Sequence, residues 1–367
     1  MHLPNSTTHQ PGPARPGRQA TVLAALALAT LLSGCGGGSD SDGAPATPAA
    51  ATAPAPPAPS PNPSIASTVP GPSGYPADSE EQAAYALLNA ERGRCGFGLL
   101  AANPALSAAA RAHADYLIIN RLSTHLENAT QFPEGFTGAT PEARVKAQGY
   151  ADLGAVTDEF AMFISNGGNL PKRGYGALGV RGLLNAPYHL NGLMSGYRDV
   201  GFAVRSNEDT GKGLQAVIVQ INAAHTASAG PQRLGVSDVQ TYPCEGTTGV
   251  NRQLTNETPN PVPGRDLSTA PLGTSVYIAV REGNRLAVTS AAMTRATTGE
   301  TVALRRPVTS STDPYGPCQS GCFGPHQAYV APDAPLLSNT AYTVMLAGTN
   351  NGTPFSRTFN FSTGSGE

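Results

Sequence analysis

The chain has no tryptophan, few charged side chains and no excess of base over acid. Its 23 Lys and Arg stand against 25 Asp and Glu, a formal net charge of −2. Recognition of nucleic acid needs a basic excess or stripe, so no such partner is expected. The apolar run at residues 20–32, ATVLAALALATLL, falls short of the about 20 residues that span a bilayer. Cysteine is scarce, at five residues. Internal repeats are absent. Glycine and proline are abundant, at 42 and 33, but much of that lies in one segment.

The short apolar run has a specific context. Arg15 and Arg18 precede it and small residues follow, which is the layout of a secretory signal. It ends in Leu32-Ser33-Gly34-Cys35, which resembles the lipobox of bacterial lipoproteins. That resemblance implies removal of residues 1–34, diacylglycerol on Cys35 and a soluble polypeptide anchored to the envelope. Gly36 stands where an Asp would imply inner-membrane retention, so the outer membrane is the expected location in a two-membrane host. Residues 35–76 then form a tether rich in Pro, Ala and Gly that cannot bury a core.

Two segments can fold. Residues 77–244 open with helix signals. Ser79 with Gln82 reads as a capping box, and Asn103-Pro104 and Thr140-Pro141 are helix starts. Gly149 is placed to end the helix that Thr140 begins. Strand-like runs follow at 156–164, 200–205 and 214–221, with a short helix at 180–185. Residues 245–258 read as a linker. Residues 259–367 show only short β-rich runs at 275–280, 285–288, 341–346 and 357–361, the pattern of a small antiparallel sandwich. The expected fold class is α+β.

Four cysteines remain once Cys35 is lipidated, and an even remainder in an oxidising compartment suggests two disulfides. Cys318 and Cys322 share the loop PCQSGCFGP, and Cys95 would then pair with Cys244.

The stretch LLNAERGRCGFGLLAANPALSAAARAHADYLIINRLSTH resembles the opening of the CAP superfamily of cysteine-rich secretory, antigen 5 and pathogenesis-related proteins. Asn89, Arg92, Leu106, Ala110, His113, Ala114 and His125 fall on its pattern. Pro187, His189, Asn191, Val200 and Gly201 match a later motif, and Gly149-Tyr150 with 156–159 lies between the two. The resemblance spans residues 80–223 and implies an α-β-α sandwich with a central cleft. It assigns His125, Glu159 and His189 to that cleft. Some members hold a divalent metal such as zinc there, which would make His125 and His189 its ligands. Residues 337–363 resemble the closing hairpin of bacterial immunoglobulin-like domains, which serve as spacers or adhesive modules.

The departures matter. Leu183 and Ala186 stand where a Trp and a second acid are found in related cleft helices. The "GEN" and "SpgH" patterns have become Asp158-Glu159-Phe160 and Ala186-Pro187-Tyr188-His189. His113 lies on an apolar helix face and reads as a satisfied core residue. His225 and His326 read as loop residues, and Asp115 as a solvated one. The favoured function is a tethered, monomeric binding module for a lipid, glycan or envelope protein rather than an enzyme. A metal-dependent hydrolase and an adhesin-like structural protein are the alternatives.

Overall fold

The first helix, α1 (Glu80–Arg94), starts where Ser79 accepts a hydrogen bond from the Gln82 N–H, and its first turn carries Glu80 and Glu81. After the two-residue strand β1 (Ala101–Ala102), Asn103 caps α2 (Pro104–Asn120) and Thr140 caps α3 (Pro141–Ala147). Gly149 ends α3 in the left-handed region at φ +88°. Its N–H bonds Lys146 O and that of Tyr150 bonds Val145 O, the paired closure that favours glycine there. These are the starts and stops expected from the residues, except that the box at Ser79 stays half-closed: the Gln82 side chain bonds Ser73 and the Ser79 N–H bonds Pro76 O. The computed structural model describes residues 65–69, 71–165, 167, 170–316 and 322–365. All of them fall within one unit of the chain, 59–367. The signal segment, Cys35 and Cys318 lie outside the described residues.

The chain continues through β2 (Leu153–Ile164), α4 (Tyr175–Asn185), α5 (Pro187–Met194), β3 (Asp199–Ser206), α6 (Asn207–Thr210) and β4 (Ala216–Thr226). The sheet order is β1-β3-β4-β2, so β2 is an edge strand. Alternation along the strands divides the helices between two faces. Ile218 of β4 packs with Tyr116, Leu117 and Ile118 of α2, while Ile221 and Ala223 join α1, α4 and α5. Two expectations are corrected. The end of the supposed tether belongs to the fold, because Tyr75 packs on Tyr85 and Phe202 and its Oη accepts from the Phe202 N–H at 2.8 Å. His225 lies inside β4, paired with Ala155, rather than in a loop.

The β part comprises β5 (Val239–Tyr242), β6 (Thr247–Val250), β7 (Gln253–Leu254), β8 (Leu272–Gly273), β9 (Val276–Val280), β10 (Leu286–Arg295), β11 (Val308–Thr309), β12 (Gln327–Val330), β13 (Ala341–Asn350) and β14 (Thr353–Thr363). Two sheets, ordered β11-β12-β9-β5 and β10-β13-β14-β6, bury one core between Val276, Ile278, Val280, Val344, Leu346 and Phe361. Asn351-Gly352 turns the β13–β14 hairpin with positive φ at both positions. The fold is therefore mixed α and β.

The expected boundary at 244 does not fall between the two parts. β5 pairs with β9 and β6 with β14, so the β part begins at Val239 and takes in most of the supposed linker. β9 is buried on both faces. Val276, Ile278 and Val280 face the sandwich core, whereas Tyr277 and Ala279 join Phe97, Leu193 and Leu183 of the first part. The disulfide Cys95–Cys244 crosses the same junction, with Cα atoms 5.5 Å apart.

Candidate functional site

The site forms at the free edge of β2. Asp158 and Glu159 are consecutive on that strand, so their side chains leave opposite faces. Asp158 Oδ2 lies 2.9 Å from His125 Nδ1, in the loop after α2. Glu159 Oε2 lies 2.6 Å from His189 Nδ1, in the first turn of α5. The two imidazoles meet around the strand edge with ring centroids 6.3 Å apart. His125 also lies 5.0 Å from the Phe160 ring. The three expected residues are thus brought together. Asp158, first seen only as a departure from a motif, is the partner that orients His125.

Asp158 is the more deeply embedded carboxylate. Its Oδ1 accepts from Arg144 Nη2 at 3.1 Å and Gln220 Nε2 at 2.9 Å. With its amide turned to suit its neighbours, Asn222 also donates to Oδ1 at 2.7 Å and accepts from the Ala110 N–H. Burial alone would raise the Asp158 pKa. The His125 bond and the charges of His113, Arg144 and His125 outweigh it and hold the carboxyl below its ordinary value. Behind it, His113 is fully buried between Glu127 Oε1 at 2.9 Å and Thr124 O at 3.0 Å, the satisfied core histidine expected. Asp115 is not simply solvated, because Arg205 bridges both its oxygens at 2.8 and 3.1 Å.

His189 is held more tightly than His125. Burial pulls its pKa down, but the Glu159 bond and the charges of Glu159 and Glu257 overcome that, and the net shift is upward. Glu159 Oε1 accepts from Thr157 Oγ1 at 2.6 Å. Arg92, fully buried, anchors the far end of α5 by donating to Leu193 O at 2.6 Å and Ser195 O at 3.0 Å. Burial lowers its pKa to about 9, so it remains charged at neutral pH.

Sequence reasoning missed Glu257. It sits in the supposed linker yet is 5% exposed, and its Oε1 accepts from the Tyr188 N–H at 2.7 Å. Burial pushes its pKa up to about 8. No local pattern marks it. The indirect signal was Ala186, a helix-opening position with no acceptor of its own.

A carboxylate on Nδ1 fixes the ring and leaves Nε2 as the outward atom, an arrangement that suits proton exchange, hydrogen bonding or metal ligation. Among the described residues neither Nε2 has a hydrogen-bond partner. The donor set falls short of a catalytic zinc site, which takes three protein ligands. Both carboxylates are already bonded to imidazoles, and among the described residues no three His, Cys, Asp or Glu are grouped to hold a metal. A cavity of about 680 Å³ opens beside Glu159, walled by Thr157, Gly192 and Tyr197 of the first part and by Tyr277 and His326 of the second. His326 occupies a turn, as expected. Neither family models nor curated proteins match the chain.

Proposed function

We propose that the chain is an envelope-anchored binding module. Its first part is a CAP-type α-β-α sandwich, its second an immunoglobulin-like sandwich, and the cleft at His125, Glu159 and His189 takes a lipid, glycan or protein ligand. One observation carries the ligand-binding part. Two imidazoles stand 6.3 Å apart, each tied through Nδ1 to its own carboxylate, with both Nε2 atoms lacking partners among the described residues. A polar head group that bridges the two Nε2 atoms would satisfy both at once. Helices on both faces of the first sheet are consistent with the sandwich resemblance. The tether would hold this cleft within reach of a membrane surface, with Cys35 as its anchor.

Hydrolysis is the weaker reading. Glu159, the acid that would activate a water, already accepts from Thr157 and pairs with His189. The deciding experiment is saturation binding of the full lipidated chain to lipid, glycan and envelope-protein panels, beside His125→Ala/His189→Ala and a zinc titration. Saturable binding lost in the double variant is expected. Binding that the variant retains, or none across the panels, would rule the cleft out as the site. Cys35→Ser should move the chain from the membrane to the soluble fraction.

A further inference from the structure

α5 begins without a cap of its own. Ser79, Asn103 and Thr140 open α1, α2 and α3 with side chains that accept from first-turn N–H groups. Ala186 occupies the same position before α5 and makes no side-chain cap bond. Pro187 lacks an N–H, which leaves the Tyr188 and His189 N–H groups as the donors in need of acceptors. Both find Glu257 Oε1, at 2.7 and 3.4 Å, from a segment 69 and 68 residues away in sequence. A buried carboxylate is costly to desolvate. Here the second oxygen, Oε2, has no partner among the described residues, so the burial is not explained by a satisfied ion pair. The helix N-terminus gives Oε1 its partners, because free first-turn N–H groups need an acceptor whether the carboxyl is charged or neutral.

We propose that Glu257 is a positioning residue for His189. Its side-chain Oε1 supplies from the β part the cap that Ala186 lacks, and thereby sets the imidazole against Glu159. Glu257 reaches His189 through the backbone, while Glu159 holds the ring, so the imidazole is fixed at both ends. With Arg92 bonded to Leu193 O, the helix is fastened at its start by one part of the molecule and at its end by the other. The inference rests on the cleft reading only in taking His189 as a cleft residue. Its test observes the His189–Glu159 bond itself, so failure to find a ligand leaves it standing.

The readout is the low-field Nδ1 proton resonance expected for so short an imidazole–carboxylate bond, assigned in the full chain by its loss in His189→Asn. Glu257→Ala should lose this resonance while far-UV circular dichroism shows a folded chain. Glu257→Gln, whose amide oxygen can still accept, should keep it. Ala186→Ser/Glu257→Ala should regain it, because a serine hydroxyl restores the cap locally. An unchanged resonance in Glu257→Ala, or its loss without recovery in the double variant, would overturn the proposal. If Glu257→Ala does not fold, the double variant should fold and show the resonance, and its failure to do so is equally decisive.

Discussion

Tyr277 Oη donates to Asn191 Oδ1 at 3.1 Å, joining the central strand of the β part to the helix that carries His189. Tyr188 Oη reinforces the contact by donating to Asp313 Oδ1 at 2.8 Å, and Phe97 lies 5.9 Å from the Tyr277 ring. A spacer module would leave its neighbour's core intact when removed. Here β9 gives one face to each core, so the two parts should unfold together. We expect one urea transition, coincident by near-UV circular dichroism and amide exchange. Deleting residues 250–367 should abolish native near-UV signal and slow amides in what remains. Native-like amide protection in the truncated chain would show that the parts fold independently.

Gly192 is required by the site and not by the helix. A Cβ there would overlap Glu159 Oε1, the mobile end of a side chain, rather than any backbone. Gly192→Ala should therefore push the carboxylate aside and break its bond to His189. Alanine also favours a helix by up to about 1 kcal/mol over glycine. The expected outcome is a chain within about 1 kcal/mol of wild-type stability that has lost the low-field His189 proton and any cleft binding. A large loss of stability would mean that Glu159 cannot move.

The Asp158 cluster predicts an acid-sensitive fold. Asp158 and Glu127 are both held below their ordinary pKa, burial being outweighed by bonds to His125 and His113 and by the nearby positive charges. A depressed carboxyl adds stability that is complete above its unfolded pKa of about 4 and is lost as pH falls through the folded value. Stability should thus decline on acidification below about pH 4. Asp158→Ala removes the nearer carboxylate from a fully buried Arg144. It should cost about 3–5 kcal/mol at pH 7 and flatten the acid slope. Urea unfolding of both chains at pH 7, 4 and 3 measures the two effects together.

Local signals in the sequence located the parts whose causes are local. Ser79, Asn103, Thr140 and Gly149 mark helix ends because the groups that satisfy each terminus lie within a few residues of it. His125, Glu159 and His189 are far apart in sequence and were grouped only by resemblance. Glu257 escaped because its partner N–H groups lie almost seventy positions earlier and nothing near it has a periodic pattern. Val239–Tyr242 went to the wrong part for the same reason, since only its pairing with β9 assigns it. β2 began three residues earlier than its apolar run suggested, through Leu153, where a register shift accommodates Gly154 against β4.

The Cys95–Cys244 disulfide ties the end of α1 to the loop between β5 and β6 across a separation of 149 residues. In the chain-entropy account so long a loop stabilises by up to about 5 kcal/mol, and less where the unfolded chain keeps structure. Shared burial also joins the two parts here, through Tyr242 and Leu254 in the same core as Leu88 and Leu184. The bond should therefore set stability without being needed for the architecture. Cys95→Ser/Cys244→Ser is expected to lower the urea midpoint by the equivalent of about 2–5 kcal/mol. It should steepen the transition, because the unfolded chain is no longer compacted by the cross-link, and leave the low-field His189 proton unchanged. A variant that loses the proton while remaining folded would show instead that the disulfide, and not the buried contacts of β9, holds α5 against the sheet.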